Sequence, residues 1–174
     1  MYRPNLRRIP QYSLLDGFGL RFFRRGDRKT WLDIWQTVEN HERVTLKTFR
    51  QSLGYDLPAL PRRCLFLISP DGHVIGTATA WYERDHGQRW GRLHWVAIRP
   101  EFQGRGLSKP LVGAVMNLMR VLGHRRAFLI TQTPRIAAIR TYLRFGFRPD
   151  ISTDEDHRAW RLVHRHIKAV PVSM

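Results

Sequence analysis

The most informative segment of the chain is Ile98-Arg99-Pro100-Glu101-Phe102-Gln103-Gly104-Arg105-Gly106-Leu107-Ser108. An apolar strand pattern runs into this segment, and an amphipathic helix pattern follows it directly. Gly104 and Gly106 allow the backbone to turn tightly and allow a ligand to approach its N–H groups. The N-terminus of the helix adds about half a positive charge and several unpaired N–H donors. The segment therefore predicts a binding site for an anion such as a pyrophosphate.

The glycine spacing excludes two other phosphate-binding turns. A P-loop requires Lys and then Ser or Thr after its second glycine, whereas Leu107 follows Gly106. A dinucleotide-binding turn requires a third glycine where Lys109 stands. An ordinary tight turn between a strand and a helix, with no ligand, is the alternative interpretation.

Hydrophobic periodicity on both sides of this segment predicts a mixed α/β domain. Strands are predicted over residues 64–68 and 73–82, joined by a Ser69-Pro70-Asp71-Gly72 turn, and over residues 92–98. The other predicted elements are a strand over 17–25, a helix capped by Asp27, a helix over 45–53, a loop around Pro58 and Pro61, helices over 107–122 and 135–145, a strand over 127–131, and strands starting near Phe147 and His157. Antiparallel strands followed by alternating helices and strands predict a mixed, twisted sheet with helices on both faces.

Three segments resemble the GNAT family of N-acetyltransferases. Gln103-Gly104-Arg105-Gly106-Leu107-Ser108 is similar to the family's acyl-CoA-binding motif, Gln/Arg-x-x-Gly-x-Gly/Ala. The preceding Leu93-His94-Trp95-Val96-Ala97-Ile98-Arg99-Pro100 resembles its central strand. The downstream Ala138-Ile139-Arg140-Thr141-Tyr142-Leu143-Arg144-Phe145-Gly146-Phe147 resembles its second motif, Ala-Ile-x-x-Tyr-x-x-x-Gly-Phe. The order and separation of the segments match as well.

The resemblance implies a mostly antiparallel central sheet of six to seven strands, with helices on both faces and one splayed pair of parallel strands. It also implies that acetyl-CoA is the co-substrate and that the acetyl group passes directly to a primary amine, without an acyl-enzyme. The acceptor would be a small molecule, a protein N-terminus or a lysine.

The same resemblance assigns the cofactor contacts. Backbone groups of Val96 and Ile98 would pair with the pantetheine arm, and the N–H of Val96 would polarise the acetyl carbonyl. The residues that would bind the pyrophosphate region are Gln103, Gly104, Arg105, Gly106, Leu107 and Ser108. Ser108 and Arg135 depart from the usual residues, which are Gly or Ala and Asn respectively. We expect the Ser108 hydroxyl and the Arg135 guanidinium to contact phosphates.

Catalysis of amine acetylation requires a base and an acid. An alkylamine has a pKa of about 10.4, so most of it is protonated at neutral pH, and the departing thiolate benefits from a proton donor. The resemblance places the acid at Tyr142, whose alternative role is that of a core aromatic. His94 is the first candidate for the base, Glu83 is the second, and a water-mediated base is the third. A strand histidine that is merely buried and hydrogen-bonded is the alternative for His94.

The 174 residues fit one domain, which we expect over 16–174 after a basic arm over 1–15. No apolar run approaches the roughly 20 residues that span a bilayer, and no secretory signal is visible, so we expect a cytoplasmic protein. The single Cys64 lies in a strand-like run and is expected to be a core residue. His164 and His166 alternate on a predicted final strand without a third ligand, so no metal site is expected.

The net charge is the unusual feature of the composition. Thirty Lys and Arg residues against 14 Asp and Glu give +16, a charge that attracts polyanions. A nucleic-acid-binding or ribosome-associated protein is therefore a second functional hypothesis, and a non-catalytic acyl-CoA sensor is a third. The only acidic cluster comprises Asp150, Asp154, Glu155 and Asp156, which are predicted to lie in a loop and could attract a cationic amine. A homodimer is possible by analogy with the family.

Overall fold

The computed structural model describes residues 1–39, 43–53, 57–83 and 90–167 of the chain. Within these residues, six strands form one sheet in the order β1-β6-β5-β4-β3-β2. They are β1 (Tyr2–Arg3), β2 (Gly19–Phe22), β3 (Cys64–Ile68), β4 (Val74–Glu83), β5 (Trp90–Ile98) and β6 (Arg126–Phe128). Only the pairing of β5 with β6 is parallel. The predicted mixed sheet is therefore confirmed.

Helices lie on both faces of this sheet, and the described residues form six α-helices in all. They are α1 (Arg28–Val38), α2 (Leu46–Leu53), α3 (Leu60–Arg63), α4 (Ser108–Val121), α5 (Ile136–Arg144) and α6 (Asp154–His166). Short 3-10 turns precede α3 and follow β5, at Leu57–Ala59 and Pro100–Phe102. The predicted loop around Pro58 and Pro61 is thus mostly helical, because Pro61 falls in the first turn of α3, where its missing N–H has no intrahelical partner.

The parallel pair separates after three residues. Trp90, Gly91 and Arg92 of β5 lie opposite Arg126, Ala127 and Phe128 of β6. There β6 ends, whereas β5 continues to Ile98. The second half of β5 therefore borders a gap on the side where β6 would otherwise continue.

Two hydrophobic clusters fill the space on either side of the sheet. The first packs α4 and the end of α5 against one face, with Leu111, Met116 and Phe145 completely buried. The second packs α1, α2 and α3 against the other face, with Trp31 and Phe49 completely buried. Apolar residues at helical spacing on α1 and α4 produce these faces. Cys64 is buried in the second cluster, as predicted.

The N-terminal segment forms the edge of the sheet. β1 pairs with β6, and the side chains of Leu6 and Ile9 are buried in the first cluster. Arg3 is 7% exposed, and its guanidinium donates to the carbonyls of Arg7 and Phe145. This segment, which we expected to be an arm, is held to the sheet because its charge is satisfied by carbonyls and its apolar residues reach the core.

The predicted strand near His157 is wrong, since residues 154–166 form α6. The Thr153 hydroxyl accepts from the N–H of Asp156 at 3.1 Å, and the Asp156 carboxylate accepts from the N–H of Thr153 at 3.0 Å. This capping box starts a helix that places three acids in its first turn. His164 and His166 therefore lie on a helix. At the strand predicted to start near Phe147, the described residues form a single bridge, between Tyr2 and Arg148.

Asp27 occupies the cap position of α1 but makes no capping hydrogen bond. Its carboxylate instead accepts two hydrogen bonds from the Arg21 guanidinium, at 2.6 and 3.0 Å, and one from the N–H of Arg24 at 2.6 Å. The charge-assisted pair outcompetes the cap, because a bidentate guanidinium is a stronger donor than a helix N–H. The predicted start of the helix is confirmed, but the predicted cap is wrong.

Candidate active site

A cleft of about 400 Å³ lies beside the second half of β5, between the N-terminal ends of α4 and α5. Its walls combine backbone of the strand and turn with apolar side chains of the helices. The residues lining it are Val38, Val96, Ala97, Ile98, Phe102, Gln103, Gly104, Gly106, Leu107, Ser108, Val112, Pro134, Arg135, Ile136, Ala137, Ala138, Thr141 and Tyr142. The structure therefore brings together most of the residues that the sequence predicted as cofactor contacts.

The turn over residues 103–107, called the glycine turn below, forms one end of the cleft. Gly104 and Gly106 have φ of 76° and 79°, in the left-handed region that favours glycine. A Cβ built on either residue would find no atom within 4 Å, so the space over the turn is open to a ligand. The 14-residue helix α4 starts directly after it without a side-chain cap. These properties fit an anion site at the helix N-terminus.

Two side chains of this turn point to internal partners. The Gln103 amide donates to the carbonyl of Ile98 at 2.7 Å and so ties the turn to the end of β5. The Arg105 guanidinium donates to the carbonyl of Glu101 at 3.1 Å and lies 5.1 Å from the centre of the Phe102 ring. Arg105 does not line the cleft, and the Ile98 carbonyl already accepts a hydrogen bond. Gln103 thus shapes the turn, and it also lines the cleft.

β5 contains a bulge in front of the cleft. Thr79 of β4 pairs with His94 and Thr77 pairs with Ala97, so two residues of β5, Trp95 and Val96, oppose the single residue between them on β4. Trp95 adopts φ of 51°, a left-handed conformation that costs a non-glycine residue roughly 1–2 kcal/mol. An extra residue in one strand leaves part of the ladder unpaired. On the other edge of β5, beside the cleft, the pairing with β6 ends at Arg92, so the backbone at the bulge has no partner strand on that side among the described residues.

The bulge changes which side chains share a face of β5. We expected His94 to lie with Val96 and Ile98, because side chains alternate with a period of two. Instead Val96 and Ile98 pack with the α4 cluster, whereas Trp95 and Ala97 pack with the α1 cluster. His94 contacts Trp95 and α2 and so lies on the α1 side. The prediction that His94 shares a face with Val96 and Ile98 is wrong, because the bulge inserts one residue between His94 and Val96.

Tyr142 reaches the cleft from α5. Its side chain is 8% exposed, and its ring packs 6.2 Å from that of Phe147. Burial raises the pKa of Tyr142 to about 12, and the nearby positive charge of Arg135 opposes this only partly. The hydroxyl is therefore protonated throughout the physiological range and can serve as a proton donor inside the cleft.

Arg135 and Glu39 join two helices across the mouth of the cleft. Arg135 is the residue before α5, Glu39 is the residue after α1, and their side chains form an ion pair. The Glu39 carboxylate is only 12% exposed. We expected the Arg135 guanidinium to contact phosphates, whereas the structure engages it with Glu39 while it still lines the cleft. Sequence reasoning missed Glu39, since no local signal connects residues 96 positions apart.

His94 is held in one tautomer. Its Nε2 lies 3.0 Å from the carbonyl oxygen of Ser52, which can only accept, so Nε2 carries the hydrogen and Nδ1 carries the lone pair. Burial, aided by the charge of Arg92, lowers the pKa of His94 to about 3. The ring is therefore neutral at physiological pH.

The buried His94 predicts a pH dependence of stability. Its pKa is lower in the folded protein than the ordinary 6.5, so the unfolded chain binds more protons between pH 6.5 and 3. The stabilisation is complete above pH 6.5 and is lost as the pH falls toward 3. We expect His94 to account for about 2 kcal/mol of lost unfolding free energy between pH 7 and pH 5.

Urea unfolding of His94→Gln at both pH values tests this expectation, because glutamine can still donate to the Ser52 carbonyl but does not titrate. The exposed His157→Gln is the matched control and should retain the pH dependence of the unaltered protein. An equal pH dependence in His94→Gln and the unaltered protein would contradict the assignment.

The remaining predicted residues lie elsewhere. Glu83 is the last residue of β4 and pairs with Trp90, six residues from Val96 and therefore about 20 Å along the strand; its side chain is outside the described residues. Asp154, Glu155 and Asp156 form the first turn of α6. Within 1–39, 43–53, 57–83 and 90–167, no cluster of three or more His, Cys, Asp or Glu side chains could hold a metal ion. No helix in that part of the chain is long and apolar enough to cross a membrane.

The chain is similar in sequence to known acetyltransferases. The Acetyltransferase (GNAT) family matches residues 24–147. A mycothiol acetyltransferase from Arthrobacter sp. is 28% identical over 145 residues, covering 80% of this chain and 45% of that protein. A putative ribosomal protein bS18-alanine N-acetyltransferase from Bacillus subtilis is 27% identical over 100 residues, covering 58% of this chain and 64% of that protein.

Solved structures show the same fold. The structure of yncA, a putative acetyltransferase from Salmonella typhimurium with its cofactor acetyl-CoA, has a TM-score of 0.63 at 20% identity, covering 78% of this chain and 82% of that chain. The chain spans about half the length of the mycothiol acetyltransferases that it matches, from 45% to 49% for four of them.

Proposed function

Because the chain belongs to the acetyltransferase (GNAT) family, we propose that it transfers the acetyl group of acetyl-CoA directly to a primary amine. The observation that carries the proposal is the continuity of one cleft from the glycine turn to the β5 bulge and Tyr142. An anion site, an unpaired stretch of strand backbone and a buried proton donor thus lie along a single path. This order matches the chemical order of pyrophosphate, amide-bearing arm and thioester in acetyl-CoA.

Different residues of the chain bind different parts of acetyl-CoA along this path. Backbone N–H groups of the glycine turn bind the pyrophosphate, because Gly104 and Gly106 leave the space above them open. The N–H of Val96, which lies at the bulge and lines the cleft, donates to the acetyl carbonyl as negative charge develops on its oxygen. Arg135, held at the mouth by Glu39, borders the pantetheine arm.

Tyr142 protonates the departing thiolate. The raised pKa of its hydroxyl keeps the proton in place until the C–S bond breaks. A thiol has a pKa of about 8.5, so proton transfer from the tyrosine is favourable only when the transfer is coupled to the loss of the thiolate from the tetrahedral intermediate. The Tyr142 phenolate then accepts the proton that the nitrogen loses when the amide forms, and the acid is regenerated.

His94 lies on the opposite face of β5 from Tyr142, and we propose that the acceptor amine approaches on that face. Its low pKa makes it a weak base, however. Moving a proton from an alkylammonium ion of pKa about 10.4 to an imidazole of pKa about 3 costs about 10 kcal/mol. We therefore propose that the Nδ1 lone pair of His94 accepts a hydrogen bond from a neutral amine, directly or through water, rather than deprotonating an ammonium ion.

This weak base favours an acceptor whose amine is partly neutral before it binds. An α-amino group has a pKa of about 7.7–8.0, so a substantial fraction is neutral at pH 7.5, whereas a lysine side chain is almost wholly charged. We propose an α-amine, on a peptide or a small molecule, as the acceptor. The relative from Bacillus subtilis, named as an alanine N-acetyltransferase of a ribosomal protein, supports this class of acceptor.

Calorimetric titration with acetyl-CoA tests the cofactor, and two peptides test the acceptor. We expect one-to-one binding of acetyl-CoA that survives moderate salt and is much tighter than binding of ATP. We also expect faster CoA release with a lysine-free peptide that has a free N-terminus than with an N-blocked peptide that contains one lysine. Equal, salt-sensitive binding of any polyanion would instead favour a nucleic-acid-binding role for the +16 charge. Binding without turnover on any amine would favour an acyl-CoA sensor.

A further inference from the structure

We propose that Trp95 is a positioning residue, and that Trp31 and Trp35 of α1 clamp its ring so that the bulge keeps the backbone of Val96 aimed at the cleft. This inference rests on the proposed acetyl transfer, because it assigns a structural cause to the placement of the carbonyl-polarising N–H. The three residues Trp31, Trp35 and Trp95 are called the tryptophan clamp below.

The rings of the clamp meet edge to face. The Trp95 ring centre lies 4.5 Å from that of Trp35, with an interplanar angle of 87°, and 4.9 Å from that of Trp31, with an angle of 64°. Such perpendicular contacts are the favoured geometry of aromatic pairs. Trp31 and Trp35 are 0% and 2% exposed, so their rings have little freedom to move. Phe49 of α2 adds a perpendicular contact to Trp31 at 4.9 Å.

The clamp opposes a local strain. Trp95 has φ of 51°, and a bulky residue in this conformation relaxes unless its surroundings prevent it. Relaxation would rotate the adjoining peptide group, because the backbone between Trp95 and Val96 is common to both residues. The Trp95 side chain packs in the α1 cluster, whereas Val96 lines the cleft. Holding the Trp95 ring on one face of the strand therefore fixes the orientation of the Val96 backbone.

The chemistry of the three indoles argues against a role in packing alone. The ring N–H groups of Trp31, Trp35 and Trp95 are buried, and none has a hydrogen-bond partner in the described part of the chain. Buried N–H donors without partners lower stability, so phenylalanine or leucine would suit a core that served stability alone. The large flat rings instead allow Trp31 and Trp35, two neighbouring side chains of α1 with ring centres 5.9 Å apart, both to contact Trp95.

The test measures polarisation of the acetyl carbonyl directly and needs no acceptor. Acetyl-CoA labelled with carbon-13 at the carbonyl is bound to the full chain, and its carbonyl chemical shift is compared with that of the free compound. We expect a downfield shift on binding to the unaltered protein. Trp95→Gly tolerates positive φ but lacks the ring, so it should bind acetyl-CoA with little change in affinity and lose most of this shift. Trp95→Phe retains a ring and should restore it.

A matched pair of variants separates the clamp from general loss of packing. Trp35→Leu removes one of the two ring contacts to Trp95, whereas Trp81→Leu makes the same change in the same cluster, at a residue that stacks on Tyr82. We expect the shift to be lost in Trp35→Leu and kept in Trp81→Leu, and kcat with an active acceptor to fall about tenfold only in the former.

Different outcomes overturn different claims. A full carbonyl shift in Trp95→Gly, or in Trp35→Leu if the glycine variant does not fold, would overturn the clamp. Equal loss in Trp35→Leu and Trp81→Leu would overturn it too. Failure of the unaltered protein to bind acetyl-CoA would overturn the proposed function and the clamp together, so the two failures are distinguishable.

Discussion

Acetyl-CoA is expected to bind Gly106→Asp about 100-fold more weakly than it binds the unaltered protein. A side chain at this position strains the backbone, which has φ of 79°, by about 1 kcal/mol. It also enters the open space above the glycine turn and brings a carboxylate close to the pyrophosphate. Two such charges about 5 Å apart repel by about 3 kcal/mol at an effective dielectric constant near 20. Salt screening reduces this sum, and each 1.4 kcal/mol that remains is about a tenfold loss of affinity.

Gly123→Asp is the matched control for this substitution. Gly123 follows the C-terminal end of α4, has φ of 86°, and also has no atom within 4 Å of a built Cβ. The backbone strain is therefore similar, but the residue lies at the opposite end of the helix from the cleft. Calorimetric titration should give unaltered affinity for Gly123→Asp. Retained affinity in Gly106→Asp would show that the glycine turn does not bind the cofactor.

The second large effect is expected from Tyr142→Phe, which should lower kcat about 100-fold while leaving the affinity for acetyl-CoA unchanged. General acid catalysis contributes roughly 10²–10⁴ to a rate, and the lost hydroxyl is the only group removed. The variant should fold normally, because among the described residues the hydroxyl makes no hydrogen bond. Release of free CoA thiol, measured with a saturating amine acceptor, reports kcat.

Tyr12→Phe controls for the loss of a tyrosine hydroxyl elsewhere. Tyr12 packs 5.6 Å from Phe145, on the N-terminal segment, and its side chain is partly exposed. The kcat of Tyr12→Phe should equal that of the unaltered protein. If Tyr142→Phe also turned over at the full rate, Tyr142 would be a core aromatic and the acid would be another group or water.

The sequence predicted those parts of the fold that depend on neighbouring residues. The glycine turn, the hairpin turn at Ser69-Pro70-Asp71-Gly72 and the apolar stripe of α4 are local patterns, and the structure has each of them. The strand expected near His157 is wrong because Thr153 and Asp156 form a capping box that starts a helix.

The arrangement of the site was less predictable. A bulge at Trp95 depends on packing against α1, so a strict alternation assigned His94 to the wrong face of β5. The ion pair between Glu39 and Arg135 joins residues far apart in the chain, and no local pattern indicates it. The low pKa of His94 likewise follows from burial and from Arg92, which only the folded chain brings together.

The bulge in β5 also makes the site depend on how many residues the strand contains, and not only on which residues they are. Deleting Trp95 would remove the bulge and restore perfect alternation, with His94 and Val96 still on opposite faces of the sheet. The side chains beyond the deletion would keep their faces, but the backbone that the extra residue leaves unpaired would return to the ladder with β4. A substitution along this strand leaves the number of residues between His94 and Ala97 unchanged, whereas a single deletion there would remove the bulge and change the backbone that Val96 presents to the cleft.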